Sequence, residues 1–354
     1  MTKSQAAKIL LCSTLLALLL NVLFGRWLSV KLSTWPLLNR WKILSPQAPI
    51  VINTREEVRV SDTGDILQAI DVAKSKLSAV LIKNAGQISY GGGAVNLTSD
   101  GLFLTTKSVI GNSKAENILL RLYDGTSLSV QAITDDPATD LVILKTAGTN
   151  VPTANLGSAK NLQPGSKVIF LANSLQDASP FFESNFITAA QANDYAAIKD
   201  ADAPSRAFQV QARDEQINGA AVVNLNGEVV GLWDASSVLS SDVMQDLIGD
   251  YFNGNGQLSR PMFGFKYRPV SPAEAAALSL PIGAKVSQVS AGGPAQKAGL
   301  EANDLIIAVG SASLGKDAGL EELLQKFQPG DSVALTVLRG KNQTTLILTP
   351  GVLK

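Results

Sequence analysis

Histidine is absent from all 354 residues. With it go the imidazole-dependent Ser-His-Asp and Cys-His mechanisms and any His-ligated metal site. The single cysteine, Cys12, excludes an intrachain disulfide and a Cys-rich zinc site, so neither metal nor cofactor is expected. Lys107 stands beside Ser108, and Ser-Lys pairs do serve as hydrolase centres. Neighbours on an extended strand point to opposite faces, however, so these two form no dyad if the segment is a strand. Thirty basic residues balance thirty acidic ones, which leaves no basic footprint for nucleic acid.

The elements that would position such residues are mostly strands. A helix is expected first, capped by Asp62 or Thr63, with Ile66, Ile70, Ala73 and Leu77 at helical spacing on one face. From residue 79 the period changes. Asp100-Gly101, Asp124-Gly125 and Asn226-Gly227 each separate two apolar runs, a hairpin signal. Strands at this density predict an antiparallel barrel or sandwich over 79–236. A helical stretch over 240–254 closes that region, and the Gly/Asn-rich 253–257 reads as a linker. The last hundred residues form a smaller α+β unit: a strand at 286–290, a helix opened by Pro294 and closed by Gly299, a strand at 304–310, a helix from Ala318 to Phe327, and paired strands after Pro329-Gly330.

The amino-terminal end differs in kind. Residues 9–24 are apolar apart from Ser13, Thr14 and Asn21, and Lys8 and Arg26 bracket them. Such a run spans a bilayer if the flanking cations snorkel. No small-residue cleavage site follows, which favours an uncleaved anchor over a signal peptide or a buried helix. Trp27, Trp35 and Trp41, with Lys31, Arg40 and Lys42, suit a segment lying at the headgroup level. The divisions expected are 1–26 for a cytoplasmic tip and transmembrane anchor, 27–60 for a juxtamembrane linker, 61–252 for the large β domain and 258–352 for the small unit. Charge counting alone nominally places the large domain inside.

Five segments in order resemble one known family. Asp136-Pro-Ala-Thr-Asp140-Leu-Val-Ile-Leu-Lys145 is similar to the Asp-Pro-x-Thr-Asp-Leu-Ala-Val-Leu-Lys around the catalytic aspartate of the Deg/HtrA-type, membrane-anchored, trypsin-like serine proteases that carry a PDZ domain. The run from Gly101 through Ser108 resembles the segment that holds their histidine. Gly93-Ala94-Val95, the stretch from Leu162 to Asn173, and the stretch from Val223 to Gly231 resemble further segments of the same family. The resemblance implies a mainly β chain: an N-terminal transmembrane helix, a trypsin-like double β-barrel and a C-terminal α+β PDZ domain. It also implies an extracytoplasmic soluble part, periplasmic or at the cell exterior with the N-terminus cytoplasmic, and a homotrimer or a mixed oligomer with an active relative.

Departures from the family pattern govern the expected activity. Ser108 stands where the family has histidine, Asp140 is retained, and counting back from Asn224 puts the nucleophile position at Asn218, to within a few residues. No Ser, Thr or Cys occurs over 206–235. The oxyanion-binding glycine turn is replaced by Gln216-Ile217-Asn218. Loss of a general base alone lowers a rate by about two to four orders of magnitude. On these grounds the chain is expected to be no enzyme, a pseudoprotease with Asp140 serving as a structural carboxylate bonded to Ser108 or to backbone N–H groups. The alternative is an active serine-type endopeptidase that uses non-standard residues.

Phe263-Gly264-Phe265 resembles the carboxylate-binding loop of PDZ domains, in which backbone N–H groups receive a peptide C-terminus. Phe265 would begin the strand to which an extended peptide adds, and Leu320, Leu323 and Leu324 would wall the pocket for its last side chain. A groove that is vestigial, or filled by the chain's own residues, is the alternative. Lys266 and Arg268 would attract acidic peptides or form a solvated edge. The expected function is capture of peptides or unfolded-protein C-termini as an adaptor, chaperone-like scaffold or regulator in protein quality control.

Overall fold

The computed structural model describes residues 11–25, 62–84, 86–160, 162–173, 180–190, 195, 197–203, 208–211, 218–234, 237–315 and 319–353. The chain separates into two units, Met1–Arg59 and Val60–Lys354. In the first, residues 11–25 are helical, and Leu11, Leu15, Leu16, Leu19 and Leu20 are all exposed. At 1.5 Å per residue this segment is about 22 Å long, against about 30 Å for a bilayer core. The expected helix is therefore present, but no helix among the described residues is long and apolar enough to cross a membrane. The tryptophan-rich segment and the linker after it lie outside the described residues.

The second unit opens with α1 (Asp62–Ala73), which buries Ala69, Ile70 and Ala73. Sequence periodicity carried this helix to Leu77. Instead a 3-10 turn over Lys74–Lys76 ends it, and Leu77 starts β1 (Leu77–Asn84), because LSAVLI is an apolar run buried on both faces. With β2 (Gln87–Asn96), β3 (Leu102–Thr106), β4 (Ile118–Leu122), β5 (Ser127–Asp135) and β6 (Leu141–Thr146) it closes a barrel of order β1-β2-β3-β6-β5-β4. A second barrel has the order β10-β13-β12-β11-β7-β8. Its strands are β7 (Lys167–Asn173), β8 (Pro180–Ala190), β10 (Phe208–Val210), β11 (Ala221–Val223), β12 (Val229–Asp234) and β13 (Ser237–Ser240). The glycines of the three expected turns, Gly101, Gly125 and Gly227, adopt left-handed φ of 90°, 88° and 76°, which costs glycine little.

Successive residues of a strand face opposite sides, and here both sides are cores. Phe103, Val142, Leu144 and Val80 fill the first barrel, while Phe170, Val222, Val230 and Phe208 fill the second. Their neighbours Leu102, Leu104, Leu141, Ile143, Ile169 and Leu171 pack between the barrels with Met244 and Leu247. The latter two lie on α3 (Ser241–Asn253), whose first turn is capped by the Ser240 hydroxyl accepting from the Val243 N–H. Within the second barrel Trp233 meets Phe170 edge-on, at 5.6 Å between ring centres.

A third core belongs to the PDZ-like sheet. Its strands are β15 (Phe265–Pro269), β16 (Ala284–Val289), β17 (Leu305–Val309), β18 (Ala312–Ser313), β19 (Val333–Arg339) and β20 (Asn342–Leu348). β14 (Pro261–Met262) pairs separately with β21 (Gly351–Val352). The helices are α4 (Pro272–Leu278), α5 (Pro294–Lys297) and α6 (Leu320–Leu324). α4 went unread in the sequence, although Ser271 accepts from the Glu274 N–H in a standard Ser-x-x-Glu cap. α6 is shorter than the helix expected over 318–327. The sheet runs β20-β19-β17-β16-β15-β9, and its last strand, β9 (Lys199–Asp200), comes from the loop between β8 and β10 of the second barrel.

Asp304 is buried in this unit and accepts from Arg339 Nε at 2.7 Å and from the Glu301 N–H at 2.9 Å. Burial works against its charge, but Arg339 and the Glu301 N–H outweigh it and hold the carboxyl below its ordinary value. A depressed carboxylate contributes stability that is fully present above the unfolded value near pH ~3.9 and is lost as pH falls through the folded one. Melting temperature should therefore drop on acidification below about pH 4, and Asp304→Asn should flatten that limb of the profile.

Candidate functional site

Two places gather the residues that the sequence singled out. The first is the seam between the barrels. Residues Lys107–Ile110 form one helical turn, α2, and not the strand that the Lys-Ser argument assumed. The Lys107 N–H donates to the Asp140 carbonyl at 2.7 Å, and Gly111 N–H closes the turn on the Lys107 carbonyl. Ser108 Oγ donates to Asp234 Oδ1 at 2.5 Å and lies 2.8 Å from Thr106 Oγ1. The hydroxyl's one proton faces Asp234, so Thr106 is the donor in the second bond. Asp140 was expected to bond to Ser108 or to backbone N–H groups; of these, the bond from Ser108 goes instead to Asp234, at the end of β12.

Asn218 joins the same seam through its backbone. Its carbonyl accepts from the Gly93 N–H at 3.0 Å, while Gly219 N–H donates to the Trp233 carbonyl. The approach is too close for side chains: a Cβ on Gly93 would lie 2.4 Å from the Gly219 carbonyl oxygen, and one on Gly219 would lie 2.3 Å from the Gly93 oxygen and 2.7 Å from Val109 Cγ2. Asp140 and the Asn218-Gly219 turn are thus held against α2, which carries Ser108. Residues 216 and 217 lie outside the described residues.

Asp140 is delivered by a stapled turn. Asp136 accepts from the Thr139 hydroxyl at 2.8 Å and the Ala138 N–H at 3.3 Å, and Thr139 in turn accepts from the Leu141 N–H. Arg260 reaches the same Asp136 carboxylate through Nε at 2.9 Å and Nη2 at 3.2 Å, and its Nη1 meets Asp250 on α3. Burial alone would lower the guanidinium's pKa; the hydrogen bond and charge of Asp136, with Asp250 and Asp246, raise it instead.

The second place is the groove beside Phe263-Gly264-Phe265. Gly264 has φ of 78°, and the amides of Phe263 and Gly264 both point at one carboxylate. That carboxylate is Asp202, which accepts from Phe263 N–H at 2.5 Å and Gly264 N–H at 3.0 Å. Phe263, Phe265, Leu320, Leu323 and Leu324 are buried in one apolar cluster with Ala201. Burial pushes the Asp202 carboxyl up, against the downward pull of the two amides. A cleft of ≈ 430 Å³ opens beside it, edged by Asp202, Asp246, Arg260, Phe263 and Glu322. Of the two carboxylates that sequence reasoning missed, Asp234 ends the buried run VVGLWD and Asp202 sits in KDADAP. Neither segment carries a signal of its own, because the partner of each is distant in sequence.

Residues 91–232 match the trypsin-like peptidase domain family and residues 261–349 the PDZ domain family. Sequence relatives include probable periplasmic serine endoproteases, DegP-like, of Pseudomonas fulva (29% identical) and Pseudomonas savastanoi pv. phaseolicola (30%), each over 284 residues, 75% of this chain and 56% of the relative. The chain belongs to the Deg/HtrA family. Among solved structures of HtrA-type proteases, AlgW with a tripeptide aligns at a TM-score of 0.61 and 21% identity over 81% of this chain and 96% of the other. AlgW with a decapeptide aligns at 0.59 and 21% identity over 81% and 98%. At these identities the structural likeness establishes the HtrA fold.

The chain spans about half the length of the curated HtrA relatives it matches. The sequence-based expectation of no enzyme is corrected by these matches, since relatives aligned over three-quarters of the chain are named serine endoproteases. That expectation rested on the missing triad residue types, whereas 284 residues, 75% of the chain, align with relatives named endoproteases.

Proposed function

We propose that this HtrA-family chain binds extended peptides and protein C-termini in the groove formed by Phe263, Gly264, Phe265, Leu320 and Leu324, in the service of protein quality control. The observation that supports it is the pair of convergent amides at Phe263 and Gly264 beside a buried apolar cluster. A carboxylate leaving water needs several donors at once, and these supply two. A peptide with a free apolar C-terminus should bind the full chain, and its C-terminal amide should not. Calorimetric titration of the two forms checks this, and equal affinity would remove the reading.

Serine-type endopeptidase activity is a second reading, favoured by the names of the relatives. Its nucleophile would be Ser108, whose hydrogen bond to Asp234 supports passage of its proton to that carboxylate as Oγ attacks a peptide carbonyl. On this reading casein turnover and labelling by a fluorophosphonate probe are both lost in Ser108→Ala. A wild-type chain that shows neither ends it. The exposed leucines of the 11–25 helix support attachment of the chain to a membrane, and the periplasmic names of the relatives support an extracytoplasmic side for the larger unit; release of the chain by alkaline carbonate would count against integral attachment.

A further inference from the structure

The groove holds a segment of the chain itself. β9 pairs antiparallel with β15 in the register Lys266↔Asp200 and Tyr267↔Lys199, and the Ala201 N–H continues the ladder to the Phe265 carbonyl at 3.0 Å. Ala201 is buried with Phe263, Phe265, Leu320 and Leu324. Directly after it comes Asp202, whose side chain takes the Phe263 and Gly264 amides. A turn then leads the chain away: Ala203 N–H reaches the Asp200 carbonyl at 3.4 Å and Asp202 N–H reaches Asp200 Oδ1 at 3.1 Å. Charges flank the strand on both sides. Lys199 Nζ lies 3.8 Å from Glu321 Oε2 on α6, and Lys266 Nζ lies 3.6 Å from Asp200 Oδ2.

Every requirement of a bound C-terminal peptide is met here by an internal sequence. The extended backbone adds to a sheet edge, an apolar side chain packs into the buried cluster, and a carboxylate faces the amide loop. From these contacts we infer that Lys199-Asp200-Ala201-Asp202 is a built-in, displaceable ligand of the PDZ groove, with the Asp202 side chain standing in for a terminal carboxylate. The competing partner is then a chain ending in a free carboxylate, with an apolar last residue larger than alanine, an acidic residue one position before it to face Lys266, and a basic residue two positions before it to face Glu321. This specificity rests on the groove being a peptide site, as proposed above.

Self-occupation lowers apparent affinity by the fraction of molecules in which the groove is open. A fluorescent peptide ending in Lys-Asp-Val with a free carboxylate should therefore bind the full-length Asp202→Ala variant about tenfold or more tightly than wild type. Equal affinity overturns the proposal. A readout that needs no peptide comes from Asp200→Cys paired with Lys266→Cys in a Cys12→Ser background, since these two residues lie directly opposite in the ladder. Mild oxidation of the folded chain should join them, the peptide should slow that reaction, and the joined form should lose peptide binding until reduced. Failure to join while wild type binds peptide overturns the proposal alone. Joining at an unchanged rate with peptide present, with no peptide held by Asp202→Ala, overturns the groove reading on which it rests.

Discussion

Arg260→Ala should lower the stability of the Val60–Lys354 unit by about 3–5 kcal/mol, the range for breaking a buried ion pair from one side. The Asp136 side chain is 0% exposed and that of Arg260 12%, so truncation leaves a buried carboxylate without its counter-charge. The loss is more than one ion pair. Asp136 sets the turn that presents Asp140, Asp250 lies on α3, and Arg260 immediately precedes β14, so one guanidinium ties the first barrel, the closing helix and the start of the PDZ-like unit. A shifted urea midpoint with an unchanged slope is the expected signature. Asp250→Asn should cost far less, within about 1 kcal/mol, because that side chain is 28% exposed and can be solvated. Equal effects of the two substitutions would place the weight elsewhere than on the buried carboxylate.

Gly219→Ala should be nearly as damaging. Its φ of 74° is left-handed, which disfavours an L side chain by about 1–2 kcal/mol. The new methyl would also lie 2.3 Å from the Gly93 carbonyl oxygen, and forcing extra volume into a packed site costs about 1–3 kcal/mol. Relief requires the seam to open, which separates Asn218 from Gly93 and strains Val109, the neighbour of Ser108. Gly165→Ala is the control: its φ of 89° is comparable, but a Cβ there meets nothing within 4 Å. It should show the backbone penalty alone, and the difference in melting midpoint between the two variants measures the contact.

What was legible in the sequence was local. Each Asp-Gly or Asn-Gly pair between apolar runs announced its turn, because a left-handed residue is a requirement that the turn itself imposes. Continuous apolar runs such as LVIL at 141–144 form strands whose two faces pack against two different cores, which is why they do not alternate. Leu77 was misplaced because helical spacing and strand burial both fit it; the three-residue turn that decides between them involves only lysines and a serine. Ser108 was read as extended for a related reason. The turn that carries it is held by Lys107 N–H on the Asp140 carbonyl, a bond across more than thirty residues that no window along the chain contains. Of the candidate residues, Phe263-Gly264-Phe265 were found by their pattern, whereas Asp202 and Asp234 owe their roles to position alone.

The placement of β9 along β15 has a consequence for solubility. An uncovered outer strand is a row of unanswered N–H and C=O groups that another copy of the same chain can match, which is how sheets grow from molecule to molecule into aggregates. Here that row is answered by a short segment from within the polypeptide, in register and anchored by a carboxylate at its end. The β15 edge thereby stays suited to strand addition without itself standing as a seed for polymerisation.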